Sequence, residues 1–266
     1  MPFVATNASR IHYEVAGSGP WLVLLHGAGG RSAAWIRPGW VESLARDFTV
    51  VTVDARGTGR SDDIASPDEF GIDARVSDLK AVFDELEIDR AALFGFSMGG
   101  RHVVAFATAY PERVRSIVVG GSNPHGPYEN HRPRQRLRRP RRLTPCHLAS
   151  AVWRRLRWRI DRYLVAPLRA WRSNDDAPEG SEFLELELLA SFYIDVDFAA
   201  SRLEMPALFF QGDQDEMFAP ALTEAFANRL PHGEFVSLPG ERHGILQRRA
   251  LLEPIVRPFL LRTRDG

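Results

Sequence analysis

The chain has 266 residues, 44% of them hydrophobic and 26% charged. That balance suits one large globular domain or two small ones and excludes disordered, collagen-like and coiled-coil chains. Basic and acidic residues cancel, 34 against 34, and the single cysteine, Cys146, excludes an intrachain disulfide and a cysteine-rich zinc site.

Residues 3–15, broken by the polar Thr6-Asn7-Ala8-Ser9, read as an antiparallel hairpin. The apolar run 21–25 reads as a buried strand, 31–46 as a helix and 48–53 as the next strand. Over 73–86, Val76, Leu79, Val82, Phe83 and Leu86 share one helical face. Strands follow at 91–94 and 116–119, with a helix from 98 to 110 between them. Near-continuous apolar strands alternating with helices predict a parallel sheet covered on both faces, an α/β fold. The alternation stops at Ser122 and resumes at Pro206, with a strand at 207–210, a helix at 220–229, a strand at 234–238 and a terminal helix after His243.

Residues 122–205 carry no strand signal. Ala149, Val152, Trp153, Leu156, Ile160, Tyr163 and Leu164 form an apolar stripe that predicts a helix, with Pro167 as its end or kink, and a second helix is expected over 182–192. A helical insertion of about 80 residues inside an α/β sheet reads as a lid, which divides the chain into a core domain (1–121 and 206–266) and a lid (122–205). The zero net charge hides a polarity here: fourteen arginines against two acids over 128–172, a local +12, then nine acids against one arginine over 173–204, a local −8. Seven arginines within 132–142, with Trp153, Trp158 and Trp171 nearby, raise an anion- or nucleic-acid-binding alternative. The adjacent opposite charges favour a lid whose halves pack on each other, and no nucleic acid is expected as partner. No run approaches the roughly 18 apolar residues of a membrane span. The N-terminal residues show no leader pattern, so a soluble cytoplasmic protein is expected.

The chemistry is concentrated at strand ends. Gly95-Phe96-Ser97-Met98-Gly99 follows an apolar strand and opens a helix, the context in which a serine is exposed on a sharp turn and the flanking glycines avoid a clash. His26-Gly27-Ala28-Gly29-Gly30 lies just beyond the strand 21–25. Such a loop can turn backbone N–H groups toward the nucleophile, and Ala28 and Met98 are expected to supply the two donors of an oxyanion hole. His26 itself is expected to brace loops. A serine hydroxyl needs a base, and the base needs an orienting acid. Asp215, in Gly212-Asp213-Gln214-Asp215 after the strand 207–210, is expected as the acid, with Asp213 as the alternative. His243, after the last strand, is expected as the base. His102 on the nucleophile helix is read as core or surface, and His12, His125, His131, His147 and His232 have no matching context.

These motifs, together with Asp54-Ala55-Arg56-Gly57-Thr58-Gly59-Arg60-Ser61, resemble the α/β-hydrolase superfamily over nearly the whole chain outside the insertion. The resemblance implies a mostly parallel eight-stranded sheet with an inserted helical lid, a Ser97–His243–Asp215 triad and no cofactor or metal, with Asp54 and Arg56 bracing loops. Arg242 departs from the glycine usual before the histidine. A serine nucleophile argues against dehalogenases and epoxide hydrolases, which use aspartate. Gly-Phe-Ser-Met-Gly-Gly is similar to arylesterases and cofactor-free haloperoxidases or perhydrolases, although the oxyanion loop lacks their proline. Phe96 and Gly244 stand where carbon–carbon bond hydrolases usually carry asparagine and tryptophan, which ranks that class low. The expected partner is a small-molecule carboxylic ester cleaved through an acyl-enzyme, or alternatively a lactone or enol-lactone. A non-catalytic role is ranked last because all three triad members are present.

Overall fold

The structure, a computed structural model, describes residues 2–6, 9–64, 71–125 and 195–264. The arginine-rich stretch 132–142, the apolar stripe 149–164 with Pro167 and the expected helix 182–192 lie outside the described residues. Of the expected insertion, only residues 122–125 and 195–205 are described.

Eight strands form one sheet: β1 (Phe3–Ala5), β2 (Arg10–Ala16), β3 (Trp21–Leu25), β4 (Thr49–Val53), β5 (Ala91–Phe96), β6 (Val114–Gly120), β7 (Ala207–Gly212) and β8 (Gly233–Leu238). Their spatial order is β1-β2-β4-β3-β5-β6-β7-β8. The β1–β2 and β2–β4 pairs are antiparallel, and every other pair is parallel. The described helices are α1 (Ala33–Ile36), α2 (Trp40–Leu44), α3 (Ile72–Glu85), α4 (Met98–Ala109), α5 (Val196–Arg202), α6 (Pro220–Ala227) and α7 (Arg249–Arg262).

Period-two alternation sends each central strand's side chains to two cores. In β3, Leu22 and Leu24 join Trp35, Trp40 and Leu44 of α1 and α2 and Leu252, Val256, Phe259 and Leu260 of α7. Val23 and Leu25 join Leu79, Val82 and Phe83 of α3, Val103, Val104, Phe106 and Ala107 of α4, and Phe226 of α6. Both faces are therefore covered, as continuous apolar strands require. Full burial of each such side chain contributes about 1.5–3 kcal/mol. Ala199, Leu203 and Met205, in and after α5, are buried in the second of these cores, so the C-terminal end of the expected insertion packs on the sheet's helices.

The helix expected over 31–46 is two short helices instead. Pro38 lacks an N–H to continue the ladder, and Gly39 turns into the left-handed region at φ 83° as the N-cap of α2. The Trp40 indole then donates to the Leu246 carbonyl at 3.0 Å, which docks α2 against the chain just before α7.

Candidate active site

Because β3, β5, β6, β7 and β8 run parallel, the loops after them open at one edge of the sheet. That edge gathers the His26–Gly30 loop, Ser97, the turn after Gly120, the Asp213–Phe218 segment and His243.

Ser97 sits between β5 and α4 at φ 55°, ψ −120°, a conformation that costs a non-glycine residue about 1–3 kcal/mol. The surroundings enforce it. The Ser97 N–H donates to the Gly120 carbonyl at 2.8 Å. A Cβ at Gly95 would lie 2.2 Å from the Gly99 carbonyl oxygen, and one at Gly99 would lie 2.1 Å from that of Leu25. Both glycines of the pentapeptide are thus required by close backbone approach.

The structure brings His243 and Asp215 to Ser97. His243 Nε2 is 3.0 Å from Ser97 Oγ, and His243 Nδ1 is 3.0 Å from Asp215 Oδ2. Asp215 has a second anchor: its Oδ1 accepts the N–H groups of Met217 at 2.8 Å and Phe218 at 3.0 Å. With Oδ2 left as an acceptor, the imidazole carries its proton on Nδ1 and presents a lone pair on Nε2 to the serine hydroxyl. Asp213 does different work. Its Oδ1 accepts the Gly240 N–H at 2.8 Å and ties the loop after β7 to the turn after β8.

Two aromatic residues without a sequence signal for this role hold the histidine. The Phe218 ring stacks on the imidazole with centroids 5.7 Å apart, and the Phe96 ring is tilted against it at 5.4 Å. A Cβ at Gly121, where φ is +54°, would touch the Phe96 ring at 3.0 Å. Arg242, which stands in the place of the usual glycine, pairs with Glu216 at 3.2 Å on the exposed side.

The glycine loop after β3 is pressed against the serine: a Cβ on Gly27 would come within 3.2 Å of Ser97 Cβ. Its shape is held by His26, whose Nδ1–H donates to the Gly27 carbonyl at 2.8 Å while Nε2 accepts the Ala55 N–H at 3.1 Å. Burial lowers the His26 proton affinity and keeps the ring neutral, in the tautomer those two bonds require, although the Gly27 bond acts the other way. Among the described residues, neither the Ala28 nor the Met98 N–H donates to a protein acceptor.

Behind that loop lies a buried polar hub. Burial alone would push the Asp54 carboxyl up, but the hydroxyl and N–H of Ser32 and the N–H of Arg60 more than offset it and hold the group below its ordinary value. His12, without context in the sequence, places Nδ1 3.0 Å from Asp54 Oδ2. Arg56 forms a buried fork-like pair with Asp78, and Arg75 donates to the Arg56 carbonyl at 2.6 Å. Asp54 and Arg56 brace loops, as the motif implies. Among the described residues, no cluster of histidine, cysteine, aspartate or glutamate is arranged to hold a metal ion, and no helix is long and apolar enough to cross a membrane.

A serine on a strained strand-to-helix turn at the carboxyl edge of a mostly parallel eight-stranded sheet, with helices on both faces, defines an α/β hydrolase fold. The chain belongs to the alpha/beta hydrolase fold family, whose model matches residues 20–247. It is 43% identical over 122 residues to a 2-hydroxy-6-oxononadienedioate/2-hydroxy-6-oxononatrienedioate hydrolase of Paraburkholderia phymatum. That match spans 44% of this chain and 42% of the relative, less than half of either. A Bacillus subtilis protein provisionally named 2-succinyl-6-hydroxy-2,4-cyclohexadiene-1-carboxylate synthase is 26% identical over 274 residues, 96% of this chain and 97% of the relative. Among solved structures, an enol-lactonase from Burkholderia xenovorans superposes with a TM-score of 0.73 at 24% identity, covering 98% of this chain and 100% of the other.

Proposed function

We propose that the protein is a serine hydrolase that cleaves the carboxylic ester of a small or medium-sized molecule, with Ser97 as nucleophile, His243 as general base and Asp215 as orienting acid. The observation that carries this reading is the continuous chain Asp215 Oδ2 – His243 Nδ1, His243 Nε2 – Ser97 Oγ, with both steps at 3.0 Å. Ser97 Oγ attacks the acyl carbon while its proton passes to His243 Nε2. The resulting imidazolium is stabilised by Asp215 through Nδ1–H. The carbonyl oxygen becomes an oxyanion, which in this reading accepts the N–H groups of Ala28 and Met98. Collapse breaks the ester C–O bond, and the alcohol leaves with the proton from Nε2. Water then attacks the acyl-enzyme with His243 again as base, which releases the acid and restores the serine. A lactone follows the same steps with the alcohol tethered to the acyl group. Residues 122–205 are proposed as the lid over this site.

A second reading has one observation in its favour: the Paraburkholderia phymatum relative is named for hydrolysis of a 2-hydroxy-6-oxo-dienedioate. Phe96 and Gly244 weigh against it, since the resemblance to carbon–carbon bond hydrolases implies asparagine and tryptophan as the usual residues at those places. A panel of chromogenic esters of increasing acyl length, run beside a 2-hydroxy-6-oxo-dienedioate on wild type and Ser97→Ala, separates the readings. Ester turnover lost in Ser97→Ala supports the first. Turnover of the dienedioate alone replaces it with the second.

A further inference from the structure

Gln211 is the next-to-last residue of β7, in an otherwise apolar strand, and it is fully buried. A primary amide in such a place is costly unless both its ends are bonded. Both are. Its Nε2–H donates to the Phe218 carbonyl at 2.5 Å, and its Oε1 accepts the hydroxyl of Thr223 in the first turn of α6. The Thr223 oxygen in turn accepts the Nδ2–H of Asn123, in the turn after β6, at 3.0 Å. Asn123 Oδ1 accepts the His125 N–H at 3.1 Å, and the Arg101 guanidinium of α4 donates to the His125 carbonyl. Thr223 is as buried as Gln211, and Asn123 is 1% exposed. The guanidinium closes the ring, because its carbon lies 5.4 Å from the centroid of Phe218.

Everything in this network converges on Phe218, and Phe218 is the residue that touches both partners of the serine. Its N–H is one of the two donors to Asp215 Oδ1, its ring stacks on His243, and its carbonyl is the group that Gln211 holds. We infer that Gln211, Thr223 and Asn123 are positioning residues: a buried relay that fixes Phe218 and through it the orientation of His243 and Asp215 relative to Ser97. The inference rests on the proposed triad and adds to it the shell that sets its geometry. The Thr223 hydroxyl is the centre of the relay, since it accepts from one amide and donates to the other. The amides of Gln211 and Asn123 and the Thr223 hydroxyl are all hydrogen-bonded, and buried groups linked in this way act as a unit and specify one arrangement.

The test is steady-state kinetics on a small chromogenic acetate ester, with the rate of fluorophosphonate labelling measured alongside, for wild type, Thr223→Val, Thr223→Ser, Gln211→Met and Ser97→Ala. Valine keeps the shape of threonine and removes the hydroxyl. Loss of orientation predicts that Thr223→Val lowers kcat and the labelling rate together by about tenfold, with KM within about twofold, since misplacement by a fraction of an ångström is costly in rate. Thr223→Ser restores most of the loss because the hydroxyl returns. Gln211→Met shows the larger effect if it folds, and the Thr223 pair decides the matter if it does not. A folded Thr223→Val with wild-type kcat, a loss confined to KM, or a Thr223→Ser as impaired as Thr223→Val overturns the relay. In each of those cases an inactive Ser97→Ala leaves the triad standing. An active Ser97→Ala takes down the triad and the relay with it.

Discussion

Replacing Asp215 with asparagine changes one oxygen for an NH2 group, and the hydrogen bonds around it dictate the outcome. Oδ1 already accepts two backbone N–H groups, from Met217 and Phe218. The asparagine oxygen must take that place, because an NH2 group there would face two donors. Its NH2 is therefore turned toward His243 Nδ1, where Oδ2 now accepts at 3.0 Å. Facing a donor, Nδ1 gives up its proton and becomes the acceptor, so the neutral imidazole carries its proton on Nε2. That nitrogen, 3.0 Å from Ser97 Oγ, then donates where it should accept, and the base is lost with the geometry intact. The same tautomer inversion in a Ser–His–Asp protease lowers kcat about 10⁴-fold, or about 5.5 kcal/mol at 1.36 kcal/mol per decade. Asp213→Asn is the control: its bond from the Gly240 N–H needs only an oxygen acceptor, which asparagine retains. Steady-state ester kinetics on both variants, at matched circular-dichroism spectra, should show the large loss in kcat for Asp215→Asn and a change of no more than about threefold for Asp213→Asn. Equal losses, a reversed ranking, or an Asp215→Asn enzyme with more than about 1% of wild-type kcat would rule out the tautomer inversion.

Two further outcomes concern the scaffold. Phe94 lies fully buried among Trp35, Trp40 and Phe210 at ring separations of 4.7, 5.4 and 6.0 Å, so Phe94→Ala should cost about 3–5 kcal/mol in urea unfolding; a loss below about 1 kcal/mol would show that this core relaxes freely. Burial, and then the charge of Arg75, hold His102 well below its ordinary value of 6.5, and burial lowers His26 as well. The unfolded chain therefore takes up protons before the folded one as pH falls. Stability should be level above about 6.5 and drop below it, by at most about 1.4 kcal/mol per pH unit for each histidine, until the folded groups protonate in turn. Urea midpoints from pH 8 to 5 check the sign, and a midpoint unchanged between pH 7 and 5.5 would contradict it.

Much of the architecture is legible in the sequence because it follows from periodicity. β3, β4, β5 and β7 are buried on both faces, and such strands announce themselves as near-continuous apolar runs, with Thr52 in β4 and Gln211 in β7 as polar exceptions. Their ends are less visible: β5 continues through Gly95 and Phe96 to the serine, although glycine weakens a strand signal. The break between α1 and α2 is signalled by Pro38-Gly39, but the helical spacing of the residues on either side masks it. In the site, Ser97 and His243 are marked by the turn motif and by chain order. Asp213 and Asp215 are both carboxylates after β7, and only the backbone decides between them: the turn that gives Asp215 two N–H donors also aims its other oxygen at His243. Phe218, Gln211, Thr223 and Asn123 carry no sequence signal, because a phenylalanine in a loop and a glutamine in a strand acquire meaning only when the fold closes them into one network.

Whether Ser97 is the nucleophile is tested most directly by intact-mass measurement after exposure to a fluorophosphonate. One phosphonyl adduct per chain is expected on wild type, located on the peptide that contains Ser97, and none on Ser97→Ala. An unlabelled wild type, or an adduct that persists in Ser97→Ala, would contradict the assignment.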